Sequence, residues 1–140
     1  MLIRGRTQKL PKAKATIAIL FCFTLLYQIL MTELLVTEIL KLNLGDERVL
    51  ISADLNAHSR IWAYANEDTR GAQEEDFLLA QQLYLLNETN SPPTFRHCDR
   101  KGWPDLSFIK GTDFANSCTW NVLEDYTHND HNYILIEALP

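Results

Sequence analysis

Three short stretches carry polar residues of reactive type against apolar runs: Asp54 and Asn56 in ISADLNAHS, Asp105 in GWPDLSFI, and Asp130-His131 in HNDHNYI. A carboxylate can orient or deprotonate a water, and an amide can hold a phosphate oxygen. A histidine fixed by a second carboxylate can stabilise charge developing around phosphorus, and a further carboxylate can bind Mg2+. An Asp-x-Asn pair or an Asp-His step is common by chance. Their weight comes from occurring together, each at the end of a predicted strand, because strand ends along one sheet edge are where α/β proteins build their sites.

The elements that must position these groups can be read along the chain. Arg48–Asp54 (RVLISAD) is a short run apolar on both faces, as expected for a strand inside a covered sheet. Asp105–Ile109, Ser117–Leu123 and Asn132–Ala138 are three further predicted strands. Helical spacing is expected over 33–42 behind a Thr32 cap, and again over 73–83. Residues 56–72 show no periodicity and read as a long loop, a kind of segment that tends to be functional in compact domains. Pro92-Pro93 forces a turn before Thr94-Phe95.

With 140 residues, 46% hydrophobic and 22% charged, the chain can bury the core of one modest domain. The net charge of −5 is unevenly spread. The first fourteen residues hold five bases and no acid, which leaves 8 basic and 18 acidic residues, a charge of −10, for the remainder. A body this acidic excludes general nucleic-acid binding through bulk electrostatics, so contact with phosphate needs local bases and a divalent cation. The odd cysteine count (Cys22, Cys98, Cys118) points to a reducing compartment. Residues 15–31, behind the basic leader, are almost wholly apolar. They are read as an apolar helix, either a membrane-inserted segment or signal anchor, or else as a buried strand or helix of the domain.

In order, these motifs resemble the endonuclease/exonuclease/phosphatase superfamily, and most closely the apurinic-endonuclease-like domains of non-LTR retrotransposon polyproteins. ISADLNAHSRIW is similar to that family's Gly-Asp-Phe-Asn-Ala-His-Ser…Trp segment, DTRGAQEEDFL to its Asp-x-Arg-Gly…Phe-Leu helix entry, and LNETNSPPTF to its Leu-Asn…Pro-Thr-Phe. PDLSFI stands where the family has an Ile-Asp-Leu-Thr type of strand. WNVLEDYTHNDHNYI is similar to its Trp-x-Val-Leu…Ser-Asp-His-x-Tyr-Ile ending.

The resemblance implies an α/β fold: the C-terminal half of a four-layer sandwich, two sheets flanked by helices, over residues 32–140, with 1–31 as a separate leader. It implies metal-dependent hydrolysis of DNA phosphodiester bonds with Mg2+ as cofactor. Asp54 would position the attacking water, Asn56 would bind the scissile phosphate, Asp105 would orient His131 against a phosphate oxygen, and Asp130 would help hold the metal. Arg96, Arg100 and Lys101 form a candidate patch for the DNA backbone.

Departures from the pattern bear on activity. Ser52-Ala53 stands where glycine usually precedes the aspartate, and Asn129 replaces a common serine. Nothing in residues 1–31 matches the family's upstream Asn, metal-binding Glu or Tyr. Mg2+ binding is therefore expected to be impaired and hydrolysis weak or lost. The alternative is a non-catalytic remnant, a small membrane-anchored or interaction protein. His58 either touches DNA or lines the loop, and Trp62 reads as a packing anchor. A zinc site from His97, Cys98, Cys118, His128 and His131 fits no known finger spacing.

Overall fold

The computed structural model describes residues 15–20, 34, 37, 38, 41, 48–127 and 129–139. Its centre is a four-stranded sheet in the order β1-β2-β6-β3. Strand β2 (Arg48–Asp54) pairs parallel with β1 (Ala15–Leu20) and antiparallel with β6 (Asp105–Lys110). The short β3 (Leu83–Leu85) runs antiparallel on the other side of β6. Two smaller sheets follow: the hairpin β4 (Phe95–His97) with β5 (Arg100–Gly102), and the antiparallel pair β7 (Cys118–Leu123) with β8 (Tyr133–Ala138). Besides helical residues at 34, 37, 38 and 41, the described residues include a 3-10 turn at Arg60–Trp62, α1 (Thr69–Ala80) and the short α2 (Thr112–Asn116).

The central strands are apolar on both faces because both are covered, as the sequence of β2 implies. On one face Val49, Ile51 and Ala53 of β2, with Leu106 and Phe108 of β6, pack against Leu78 of α1 and the buried Trp62. On the other, Leu50 and Ile109 meet Phe114 of α2 and the partly buried Cys118 and Ile136 of the β7–β8 pair. That second face also carries polar groups. Ser52 and Ser107 are opposed across the β2–β6 ladder with their hydroxyls 2.8 Å apart, and Trp120 Nε1 donates to Ser107 Oγ at 3.1 Å. A buried hydroxyl thereby ties the two sheets together, and the bonded partners offset the cost of burying it. The layers are α1, the four-stranded sheet, and β7–β8 with α2, which is the expected mixed α/β arrangement.

The N-terminal expectation needs correction over Ala15–Leu20, which is a strand and not part of an apolar helix. A short apolar run fits either state, and here the ladder from Ala15↔Arg48 to Leu20↔Ala53 decides, covering an edge of β2 that would otherwise lie unpaired. The rest of the 15–31 stretch lies outside the described residues, as does most of the 33–42 helix, of which Leu34, Thr37, Glu38 and Lys41 are helical. No helix among the described residues is long and apolar enough to cross a membrane.

Helix α1 starts at Thr69, inside the segment read as loop, and ends before Leu83, which is already strand. Its N-cap explains the early start. The Asp68 carboxylate accepts from the Gly71 N–H at 2.6 Å and from the His58 N–H at 3.1 Å, while the Asp68 N–H donates to the His58 carbonyl at 3.0 Å. One side chain caps the helix and fastens it to the loop after β2.

Candidate active site

Asp54 is the last residue of β2 and Asp105 the first of β6, and the antiparallel register makes them direct partners. Directly opposed residues in such a pair send their side chains to the same face. The ladder itself therefore brings two carboxylates together at the rim of the face shared with β7–β8. Asp105 is further pinned through its backbone. Its carbonyl accepts from Asn87 Nδ2 at 2.8 Å, and its N–H donates to Thr94 Oγ1 at 3.3 Å. Asn87 also accepts from the Ser107 N–H at 2.8 Å, so its buried amide continues the β3 edge one step beyond the strand.

His131 arrives from the loop ahead of β8. Its N–H donates to Asn129 Oδ1 at 2.6 Å, its carbonyl accepts from the Thr127 hydroxyl at 2.7 Å, and Phe95 lies edge-on to its ring at 5.2 Å. Its Nδ1 sits 2.9 Å from Asp105 Oδ2. This is the contact expected from the sequence, and the carboxylate fixes the ring's orientation. Asparagine at 129 thus holds the His131 backbone from the position where the family commonly has serine.

Electrostatics follow from this crowding. Burial, and then the charge of Asp105, push the Asp54 carboxyl above its ordinary value, against smaller lowering effects from His131, the Asn56 N–H and Arg70. The hydrogen bond to Asp105 raises His131, and burial only partly opposes it. One ligand atom from each of Asp54, Asp105 and His131 lies within 4.8 Å of the others. Two carboxylates and an imidazole facing one another, Asp105 buried and the other two half-buried, are a donor set that fits a divalent cation with a preference for oxygen.

The remaining predicted residues are distributed around this cluster. Asn56 is exposed with φ 45°, a left-handed conformation that asparagine tolerates, and its N–H donates to Asp54 Oδ1 at 3.1 Å. Its loop is well fastened: the Leu55 N–H donates to the Pro104 carbonyl at 2.9 Å, and Trp62, fully buried, donates from Nε1 to the Ala57 carbonyl at 2.9 Å. Trp62 is the packing anchor its sequence context suggests. Asp130 stands apart from the ligand cluster, its Oδ2 2.9 Å from His97 Nδ1. Arg96 pairs with Glu124 at 2.6 Å, and Arg100 and Lys101 are exposed on β5. The hairpin docks beside the site through the Arg96 N–H, which donates to the Asp130 carbonyl at 2.7 Å. Of the residues considered for a zinc site, His128 lies outside the described residues.

Sequence reasoning missed Arg70 and Tyr64. Arg70 keeps Nε and Nη2 buried without a hydrogen-bond partner, and its charge acts on Asp54. The Asp-Thr-Arg-Gly stretch held the only signal for it. Burial raises the Tyr64 phenol, opposed by a hydrogen bond to the backbone of Trp103, with Asp54 and Asp105 among the charges that raise it further.

Residues 27–135 match the model of a family described as endonuclease-reverse transcriptase. Among solved structures, the chain is similar to the endonuclease domain of TRAS1, a telomere-specific non-LTR retrotransposon, with a TM-score of 0.70 and 25% identity. The likeness covers 84% of this chain and 54% of that one, so the chain spans about half the length of the solved domain. A comparison with curated proteins gives no match. The superfamily resemblance carried by the Asp54, Asp105 and His131 motifs is thus met independently by a family model that covers well over half of the chain and by a shared fold. The chain belongs to the endonuclease-reverse transcriptase family.

Proposed function

We propose that this domain binds DNA and hydrolyses its phosphodiester bonds with the help of a divalent cation, Mg2+ by its hardness, at a rate well below that of a domain with a full set of metal carboxylates. The observation that carries the reading is the convergence of Asp54, Asp105 and His131 within 4.8 Å, with the histidine already bonded to a carboxylate. Asp54 positions the attacking water by accepting a hydrogen bond from it. The exposed Asn56 amide holds a non-bridging oxygen of the scissile phosphate. Asp105 orients His131 and favours its protonated form, which donates to a phosphate oxygen as negative charge grows there.

Asp54 and Asp105 would hold the cation, with Asp130 able to join them only by leaving His97. A cation held there would supply Lewis-acid stabilisation of charge on the phosphate. Mg2+ binds through one or two carboxylates plus substrate phosphate, and among the described residues the cluster offers two carboxylates, one of which already serves a histidine. Arg100 and Lys101, exposed on the hairpin beside the cluster, lie along the DNA backbone and supply local positive charge that the acidic body lacks, and Arg96 joins them by leaving Glu124.

The test is the nicking of supercoiled plasmid with Mg2+ by the wild-type chain and by His131→Ala. Slow nicking that the substitution abolishes is the expected result. Nicking that persists unchanged in His131→Ala would count against the site. Failure of both chains to nick while DNA binding survives would favour the non-catalytic reading.

A further inference from the structure

Beside the acid cluster lie three aromatic rings that the hydrolytic reading leaves unused. The His58 imidazole stacks on Tyr64 with ring centroids 4.0 Å apart and planes within 12° of parallel. Tyr64 in turn meets Trp103 edge-on at 5.4 Å. The innermost rings are fixed: the Trp103 backbone bonds the Tyr64 hydroxyl, and a side chain at Gly102 would begin 2.8 Å from that oxygen, so only glycine leaves the phenol its place. His58 is fixed by its backbone, whose N–H and carbonyl both bond to Asp68. Yet its side chain is 45% exposed. With Tyr64 covering one face of the imidazole, that exposure belongs to the opposite face and edge.

We infer that the free face of His58 is a stacking platform for an unpaired DNA base next to the scissile phosphate. The inference rests on the hydrolytic reading for its location, because His58 stands two residues beyond Asn56, a span of no more than about 7 Å along the chain. That is roughly the reach from a phosphate to a neighbouring base. A base inside a duplex has both faces covered by its neighbours, whereas a frayed, mismatched or extruded base can offer one. A flat ring already held in place costs little entropy to use, and stacking accepts any base. The platform therefore selects for local opening of the duplex and not for sequence.

The experiment uses the full chain in EDTA, so that binding is read without hydrolysis, and two DNA probes carrying 2-aminopurine. In one the fluorophore is unpaired; in the other it is within a perfect duplex. Wild type should bind the unpaired probe more tightly and change its emission, and His58→Ala should weaken that binding roughly ten-fold or more, the scale of one base–aromatic stack. Duplex binding should stay unchanged, and His58→Trp should restore the emission change. Equal binding of the unpaired probe by wild type and His58→Ala overturns the inference. So does an equal loss on both probes, which would assign His58 to loop structure. Plasmid nicking separates the two readings. Wild type that nicks but shows no His58 effect keeps the hydrolytic function without the platform. A His58-dependent stack without nicking keeps the platform and removes hydrolysis, and a chain that binds neither probe loses both.

Discussion

Replacing Gly71 with alanine sets two effects of opposite sign against each other. Gly71 lies in the first turn of α1 with an ordinary negative φ, so helix propensity alone predicts a gain of up to about 1 kcal/mol. The space around it predicts the reverse. A Cβ there would sit 1.8 Å from the His58 carbonyl oxygen and 2.6 Å from its carbon, both backbone atoms that cannot swing aside. Restoring ordinary contact requires the helix start and the loop to part by roughly 1.5 Å, and overpacking of this kind costs about 1–3 kcal/mol. The same movement pulls Asp68 from the His58 and Gly71 N–H groups, a cap worth about 1 kcal/mol. The net expectation is a loss of about 2 kcal/mol. For a chain of this size, with a urea slope of about 1–1.5 kcal/mol per molar, that lowers the unfolding midpoint by roughly 1.5 M. A midpoint unchanged or raised in Gly71→Ala would refute the close approach of helix and loop, and with it the fastening of the Asn56 loop.

Asp54→Asn should remove nicking yet raise the urea midpoint at pH 7, because it relieves a half-buried carboxylate facing Asp105; the gain should vanish below about pH 4, where the wild-type group is itself neutral. The bond to Asp105 holds the folded His131 pKa above the roughly 6.5 of a free histidine, so its contribution to stability is complete below that pH and is lost as pH rises through the folded value. Asp105→Asn should flatten this part of the pH profile, as read by urea midpoints at pH 5.5 and 8.5 (values on the order of one unit or more either side of the free value). Ser107→Ala strands the Trp120 N–H between the sheets, and a loss of about 1–3 kcal/mol in chemical unfolding is expected.

Strands whose burial is decided locally were legible in the sequence. The two-sided apolar pattern of β2 and the alternation of Cys118, Trp120 and Val122 in β7 each follow from what their faces touch. The contact of Asp105 with His131 was legible through the motif resemblance; a shared strand rim accounts for Asp54 beside Asp105, whereas His131 reaches them from the loop ahead of β8, in a separate sheet. What stayed hidden depends on distant partners. The start of α1 needs the His58 backbone before Asp68 can act as its cap. The β4–β5 hairpin is polar nearly throughout and is held by its own ladder and by the Asp130 carbonyl, so no burial pattern marks it. The tie from His97, at the end of β4, to Asp130 in the loop ahead of β8 leaves no trace in spacing.

The direct pairing of Asp54 with Asp105 also determines which changes of chain length the domain can survive. A residue inserted within β2 or β6 would slip the register and send one carboxylate to the opposite face. The segments between the two strands are under no such constraint. Lengthening the turn of the Phe95–Gly102 hairpin adds only a slowly growing closure entropy and leaves the two acids where they were. Insertions and deletions can thus remodel the surface beside the acids while the two carboxylates keep their spacing.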